Sequence, residues 1–170
     1  WSIGGLTGGT LGGLLANAGI TIRIHAFIVG LIIFLIALAT RNWFLPAAAD
    51  KHPIEKREKH KVPRKFLILG LLGLCGALGE GAASDWGGVL ARDSYDASPF
   101  ISALPFIFFS FTMVVGRLSG DFLAHKFGAV RLLTWSGLVA GIGLTGGVLI
   151  GNIYGIILGW FLLGIGLSTI

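Results

Sequence analysis

The chain has 170 residues, of which 54% are hydrophobic and only 12% charged, with a formal net charge of +5. Its mean hydropathy is +0.85. A soluble domain carries about 25% charged residues, so this composition excludes an ordinary water-facing globule. The lone cysteine excludes a disulfide framework or a cysteine metal cluster within the chain. The composition predicts a membrane protein, with lipid as its main solvent.

Six apolar segments approach the length of about 20 residues that a spanning helix needs. They cover residues 1–19, 25–44, 66–86, 99–120, 130–150 and 152–170. Their apolar runs are continuous and show no alternation, which indicates helices rather than barrel strands. The sequence therefore predicts an all-α membrane bundle with about six transmembrane helices. Because the chain starts at Trp1 and stops inside an apolar run, we expect it to be an internal part of a longer protein.

Glycines in the first segment recur at every fourth position, in two adjacent rows. The rows consist of Gly4, Gly8 and Gly12, and of Gly5, Gly9 and Gly13. Small residues at this spacing let a second helix approach to backbone contact. We take the first row as the predicted helix-packing face. Asn17, near the end of the segment, is a polar candidate for a substrate site, although it could instead cap the turn.

Basic residues are strongly asymmetric along the chain. Eight Lys or Arg lie between residues 41 and 65, and Arg117, Lys126 and Arg131 follow further on, whereas only Arg23 and Arg92 fall on the opposite side. Loops rich in Lys and Arg prefer the cytoplasm. The pattern predicts a cytoplasmic linker at residues 45–65 and a second cytoplasmic region at residues 117–131. This bias also explains the net charge, so no nucleic-acid partner is predicted.

The third segment carries an acidic residue well inside an apolar run. Glu80 lies 15 residues past Lys65, about 22 Å along a helix. Ionisable groups inside a membrane are costly and usually face a cavity or a partner. Because an apolar medium disfavours a charged carboxylate, we expect Glu80 to bind substrate or to load and release a proton. A structural ion pair is the alternative.

Two neighbours of Glu80 are weaker candidates for the same site. Asp85 lies five residues further on and is expected nearer the outer surface. Trp86 could stack on a sugar ring or simply anchor the helix at the interface. In the fourth segment, the aromatic run PFIFFSFTM places phenylalanines on all faces, and we expect at most one of them to line a cavity.

The most polar short stretch beyond the linker is GRLSGDFLAHKFGAVR, residues 116–131. Arg117 lies about 27 Å past Pro99 along a helix, which predicts a position at the inner membrane interface. Asp121 follows at a spacing that favours an ion pair with Arg117. Lys126 and Arg131 come next. These charges either fix the topology or form a conformational latch that breaks in a second state.

This stretch resembles the cytoplasmic loop motif of the major facilitator superfamily. That motif reads Gly, any three residues, Asp, Arg or Lys, any residue, Gly, and two basic residues. Aligned on Gly128, Lys126 matches the motif's basic residue, His125 stands at the Asp position, and Arg131 falls one residue late. The longer pattern, with EGAASDWGGVLARD at residues 80–93, resembles a branch of bacterial permeases that includes fucose permease-like and YbjJ-like proteins.

The resemblance implies an arrangement that covers the whole chain. Residues 1–44 would be the last two helices of an N-terminal half, and residues 66–170 the first four helices of a C-terminal half. They would correspond to helices 5 to 10 of a 12-helix carrier in the inner membrane. Such a carrier would move a small sugar-like or drug-like solute by alternating access, with protons as the expected coupling ion.

Other classes of function find less support in the sequence. No phosphate-binding GK[ST] loop, metal-ligand spacing or serine nucleophile motif is present. We therefore predict no enzymatic activity, no cofactor and no metal. The expected partners are a small-molecule substrate, a proton and the lipid bilayer. The alternative function is a membrane sensor or assembly scaffold that does not transport.

Overall fold

The computed structural model describes residues 1–43 and 63–169, and within them the chain is helical, without strands. The six helices are α1 Ser2–Asn17, α2 Ile22–Thr40, α3 Arg64–Tyr95, α4 Pro99–Phe127, α5 Ala129–Leu149 and α6 Ile153–Leu167. A short 3₁₀ turn, Arg41–Trp43, continues α2. The predicted all-α bundle of six helices is confirmed. The predicted linker, residues 45–65, lies outside the described residues except for its last three.

Four of the helices are long and apolar enough to cross a membrane. These spans are Ile22–Trp43, Arg64–Tyr95, Pro99–Phe127 and Ala129–Leu149. The remaining helices, α1 and α6, have 16 and 15 residues. The 32 residues of α3 extend about 48 Å, more than the hydrocarbon core of about 30 Å. The protein is therefore a multi-pass membrane protein.

Two helices run further than the sequence predicted. Helix α3 continues past Trp86 to Tyr95, and α4 continues past Gly120 to Phe127. Each ends where the backbone turns to positive φ, at Asp96 (φ 48°) and Gly128 (φ 83°). An apolar run marks where a helix crosses lipid and not where its hydrogen bonds stop. Most of the stretch 116–131 is consequently helix, and only Gly128 forms the turn.

Helix α4 contacts α1, α3, α5 and α6, and α6 in turn contacts α3, α4 and α5. Trp160 Nε1 of α6 donates a hydrogen bond of 2.9 Å to the Ala83 carbonyl oxygen of α3. On the α4 side, Thr112 Oγ1 donates to the Phe161 carbonyl oxygen at 3.1 Å. Buried apolar side chains from all four helices surround these bonds. They are Ala83, Phe109, Met113, Ala140, Ile156, Trp160 and Leu163.

Helix α1 packs on α4 through the second of its two glycine rows. A side chain added at Gly9 would lie 3.0 Å from the Phe106 ring, and one at Gly13 would lie 2.8 Å from Ala103 Cβ. At Gly4 and Gly8, by contrast, no described atom lies within 4 Å. The α1–α4 contact therefore uses the second row, and the packing role predicted for Gly4, Gly8 and Gly12 stays a prediction. The sequence contained both rows but nothing that says which one faces α4.

Helices α1 and α3 both lie against α4, and their described residues do not contact each other. Helix α2 contacts only α1 and its own 3₁₀ extension within the described chain. This arrangement leaves a space between α1 and α3 whose floor is α4.

Candidate functional site

A single arginine joins the three helices that surround this space. Arg117, on α4, donates from Nη2 to Glu80 Oε2 of α3 at 3.4 Å. Its Nη1 donates to Ser2 Oγ of α1 at 2.6 Å. Because the described residues of α1 and α3 do not contact each other, Arg117 is the polar contact that they share.

The ion pair is a loose one. A charge-assisted contact between a guanidinium and a carboxylate usually measures about 2.7–2.9 Å and often uses two donors. Here one donor reaches one oxygen at 3.4 Å, and the side chains of Arg117 and Glu80 are 42% and 27% exposed. The contact with Ser2 is the shorter of the two. Arg117 can therefore release Glu80 and still keep a hydrogen-bond partner.

This geometry corrects two expectations about Arg117. The sequence analysis treated Glu80 as a group within the membrane and Arg117 as a separate group at its inner surface, yet the two side chains form one ion pair. The expected pair of Arg117 with Asp121 is also not formed between these described residues. Asp121 nevertheless lies one turn away and lines the same cleft as Arg117.

A cavity of about 380 Å³ lies beside the ion pair. Its wall is mainly aromatic and apolar, with Glu80 as the charged group and three serines as the other polar side chains. The lining residues are Trp1, Ser2, Gly4, Gly5, Glu80, Ser84, Phe106, Phe109, Ser110 and Met113. Its volume is in the usual range of small-molecule sites, about 300–1,000 Å³.

Helix α4 supplies four of the ten residues that line the cavity, including residues that the sequence analysis missed. Phe106 and Phe109 both line the cavity, so the expectation that at most one phenylalanine would do so is wrong. Their rings stack with centroids 6.3 Å apart. Ser110 and Met113 complete the wall. The spacing from residue 106 through 110 and 113 to Arg117 marks one helical face, a signal that the sequence contained.

The other predicted substrate residues do not gather around Glu80. Asp85 and Trp86 are exposed on α3 and do not line this cavity. Asn17 is exposed at the last residue of α1, at the opposite end of that helix from Ser2. Their roles in substrate binding stay predictions.

The predicted latch residues separate into two groups. Arg117 and Asp121 line a cleft of about 330 Å³ between α4, α5 and the residues after α6. Lys126 instead lies over the rings of Phe122 and Phe127, with Nζ 5.8 and 5.3 Å from their centroids. Arg131 is exposed near the start of α5. A latch built from all four residues stays a prediction.

The fold and the site together define a class of protein. An ion pair beside a cavity between long apolar helices is typical of multi-pass membrane proteins that handle solutes. The sequence then assigns the family, because a model of the Major Facilitator Superfamily matches residues 1–170. The chain belongs to the Major Facilitator Superfamily.

Curated relatives are transporters or membrane proteins by name. An uncharacterized transporter from Sinorhizobium fredii, y4wD, is 31% identical over 62% of this chain and 28% of its own length. Membrane protein MosC of Rhizobium meliloti is 26% identical over 62% of this chain and 26% of its own. An uncharacterized MFS-type transporter of Yersinia pestis is 28% identical over all of this chain and 44% of its own. The chain thus spans less than half the length of each relative. No solved structure matches it significantly.

Proposed function

We propose that this chain forms part of a secondary active transporter that moves a small solute across the bacterial inner membrane. Transport proceeds by alternating access and is coupled to protons. The observation that carries the proposal is the Glu80–Arg117 pair beside the cavity between α1, α3 and α4. Membership of the superfamily and relatives named as transporters support it.

In this proposal Glu80 is the group that binds solute and exchanges a proton. Its carboxylate borders the cavity and is held by one loose contact to Arg117. Protonation removes the negative charge that attracts the guanidinium, so Arg117 keeps only its bond to Ser2. Protonation of Glu80 thereby changes how α3 is tied to α4 and α1.

The same proposal assigns the helices of this chain to the two halves of the transporter. Residues 1–44 belong to the N-terminal half and residues 66–170 to the C-terminal half, with the basic linker and residues 117–131 on the cytoplasmic side. Helix α1 then meets α4 across the boundary between the halves. The close glycine contacts at this boundary allow the two helices to shift against each other.

The test is the Glu80→Gln variant of the intact transporter in proteoliposomes. Solutes of both sugar-like and drug-like kinds are screened for proton movement with a pH-sensitive dye. We expect the variant to lose proton movement that depends on solute, because glutamine cannot exchange a proton. Asp93→Asn is the matched control, since Asp93 is an exposed carboxylate on the same helix and does not line the cavity.

The alternative function, a sensor or scaffold without transport, makes a different prediction. In that case no solute moves protons in the wild-type protein, and Glu80→Gln alters only its assembly. Unchanged proton coupling in Glu80→Gln would remove Glu80 from the mechanism.

A further inference from the structure

The composition of the cavity wall indicates which kind of solute the cavity can bind. Phe106, Phe109 and Met113 present carbon atoms, and Gly5 adds no side chain. The hydroxyl of Ser84 already donates to the Glu80 backbone carbonyl at 2.9 Å. A solute covered with hydroxyl groups would lose hydrogen bonds to water that this wall does not replace. The cavity therefore fits a solute whose surface is mostly apolar.

Ser110 adds a hydrogen-bonding group without a partner. The residue is only 2% exposed, and its hydroxyl makes no hydrogen bond with the described residues. Most other serines and threonines within the helices donate to a carbonyl one turn back, as Thr112 and Ser119 do. Buried polar groups are normally satisfied, so an unpaired hydroxyl at a cavity indicates a place for a ligand group. Among the described residues, no side-chain oxygen is both fully buried and without a hydrogen-bond partner. The unpaired Ser110 oxygen is therefore accessible from the cavity that this residue lines.

Electrostatics favours a positive charge at the polar end of this solute. Glu80 is the only carboxylate among the residues that line the cavity, and two stacked phenylalanine rings stand in the same wall. Carboxylates and aromatic faces both attract an ammonium group. A cation entering beside an intact Glu80–Arg117 pair would leave one positive charge in excess.

Asp121 resolves this imbalance. It lies four residues after Arg117 on α4, and the two line the separate cleft between α4, α5 and the residues after α6. Asp121 is exposed, so leaving it unpaired costs little while Arg117 holds Glu80. The spacing of four residues on one helix puts Asp121 within reach of the Arg117 guanidinium once a cation takes Glu80. Glu80 is then paired with the solute cation and Asp121 with Arg117, so that every charge has a partner of opposite sign.

We propose that the cavity binds an amphipathic organic cation, with an apolar ring against Phe106 and Phe109 and an ammonium group on Glu80 and Ser110. Binding transfers Arg117 from Glu80 to Asp121. The inference deepens the proposed function and rests on it for the site. It replaces a choice between sugar-like and drug-like solutes with one chemical class.

The test is binding of three probes to the purified full-length transporter in detergent, measured by isothermal titration calorimetry. The probes are phenethylammonium, its neutral counterpart 2-phenylethanol, and glucose. We expect phenethylammonium to bind at least about tenfold more tightly than 2-phenylethanol, and glucose to show no binding at millimolar concentration. Equal affinity for the charged and neutral probes would overturn the inference, as would binding of glucose alone.

Variants separate the parts of the proposal. Glu80→Gln is expected to lower the affinity for phenethylammonium to that for 2-phenylethanol. Asp121→Asn is expected to weaken phenethylammonium several-fold and to leave 2-phenylethanol unchanged, because only the cation displaces Arg117. If Asp121→Asn changes neither affinity, the transfer of Arg117 is refuted. Ser110→Ala is expected to weaken phenethylammonium a few-fold, and Ser119→Ala, which lies outside this cavity, is its control.

Failure of the inference differs from failure of the proposed function. Binding of phenethylammonium without any movement of it or of protons in proteoliposomes would support the site and reject transport. Proton-coupled transport of another solute, lost in Glu80→Gln and without binding of phenethylammonium, would support transport and reject the solute class.

Discussion

Helices α2 and α6 are both strongly apolar, yet only α6 is buried against other helices in the part of the chain that the structure describes. Helix α2, Ile22–Thr40, buries none of its 19 residues in the described chain, and α6, Ile153–Leu167, buries seven of its 15. Lipid tails are as apolar as leucine, so apolar side chains alone give a membrane helix no reason to leave lipid for protein. Packing between membrane helices depends instead on close approach and on hydrogen bonds.

The glycines explain the difference between the two helices. Four of the fifteen residues of α6 are glycine, and a side chain at Gly159 would lie 3.1 Å from the Gly147 Cα of α5. Helix α2 has Gly30 as its one glycine, and no described atom lies within 4 Å of a side chain added there. The two helices therefore present different surfaces to their neighbours, despite similar hydropathy.

The largest expected effect comes from adding a methyl group at a contact of α6. In Gly164→Ala, the new Cβ would lie 2.5 Å from the Phe109 carbonyl oxygen, which belongs to the backbone and cannot turn away. We expect a loss of about 1–3 kcal/mol. Thermal unfolding of the purified protein in detergent measures it, with Gly30→Ala of α2 as the matched control. Equal transitions for the two variants would contradict the close backbone contact between α6 and α4.

The next effect separates the two glycine rows of α1. A Cβ at position 9 would lie 3.0 Å from the Phe106 ring, whereas a Cβ at position 8 has no described atom within 4 Å, so leucine is expected to clash at Gly9 and to be better tolerated at Gly8. We expect Gly9→Leu to lower stability by about 1–2 kcal/mol, less than a backbone clash because a ring can shift. The same melting assay checks the pair. A larger loss in Gly8→Leu would show that another surface of the full transporter packs against the first row.

A smaller effect is expected from one hydrogen bond between helices. Trp160→Phe removes the donor to the Ala83 carbonyl oxygen but keeps an aromatic ring in place. Hydrogen bonds between membrane helices contribute about 0.6 kcal/mol on average and up to about 1.7. Trp135→Phe is the control, because Trp135 is exposed on α5. Identical melting of both variants would assign Trp160 a packing role only.

The smallest effect is expected on α2. Ile33 is 61% exposed, and Ile33→Ala should change the stability by less than about 0.5 kcal/mol. Chemical denaturation of the full-length transporter in detergent provides the measurement. A loss above about 2 kcal/mol, as for a buried isoleucine, would reveal a packing partner of α2 beyond the described residues.

The site shows where reasoning from single residues reached its limit. Glu80 was identified because a carboxylate inside an apolar run requires a partner or a cavity, and the structure gives it both. Arg117 was assigned to Asp121, its neighbour in sequence, although its partners are on α3 and α1. A helical spacing shows which side chains share a face, but it does not show which helix that face meets.

The sequence by itself determined the membrane environment, the six helices and the family, because apolar runs and motifs are local properties of the chain. It also contained the helical spacing of Ser110, Met113 and Arg117, although the sequence analysis did not use it. Only the tertiary structure decided that α4 lies between α1 and α3, that the second glycine row makes the contact, and that Arg117 joins Glu80 to Ser2. These choices depend on how the surfaces of two helices fit together, and in lipid hydropathy gives almost no information on that fit.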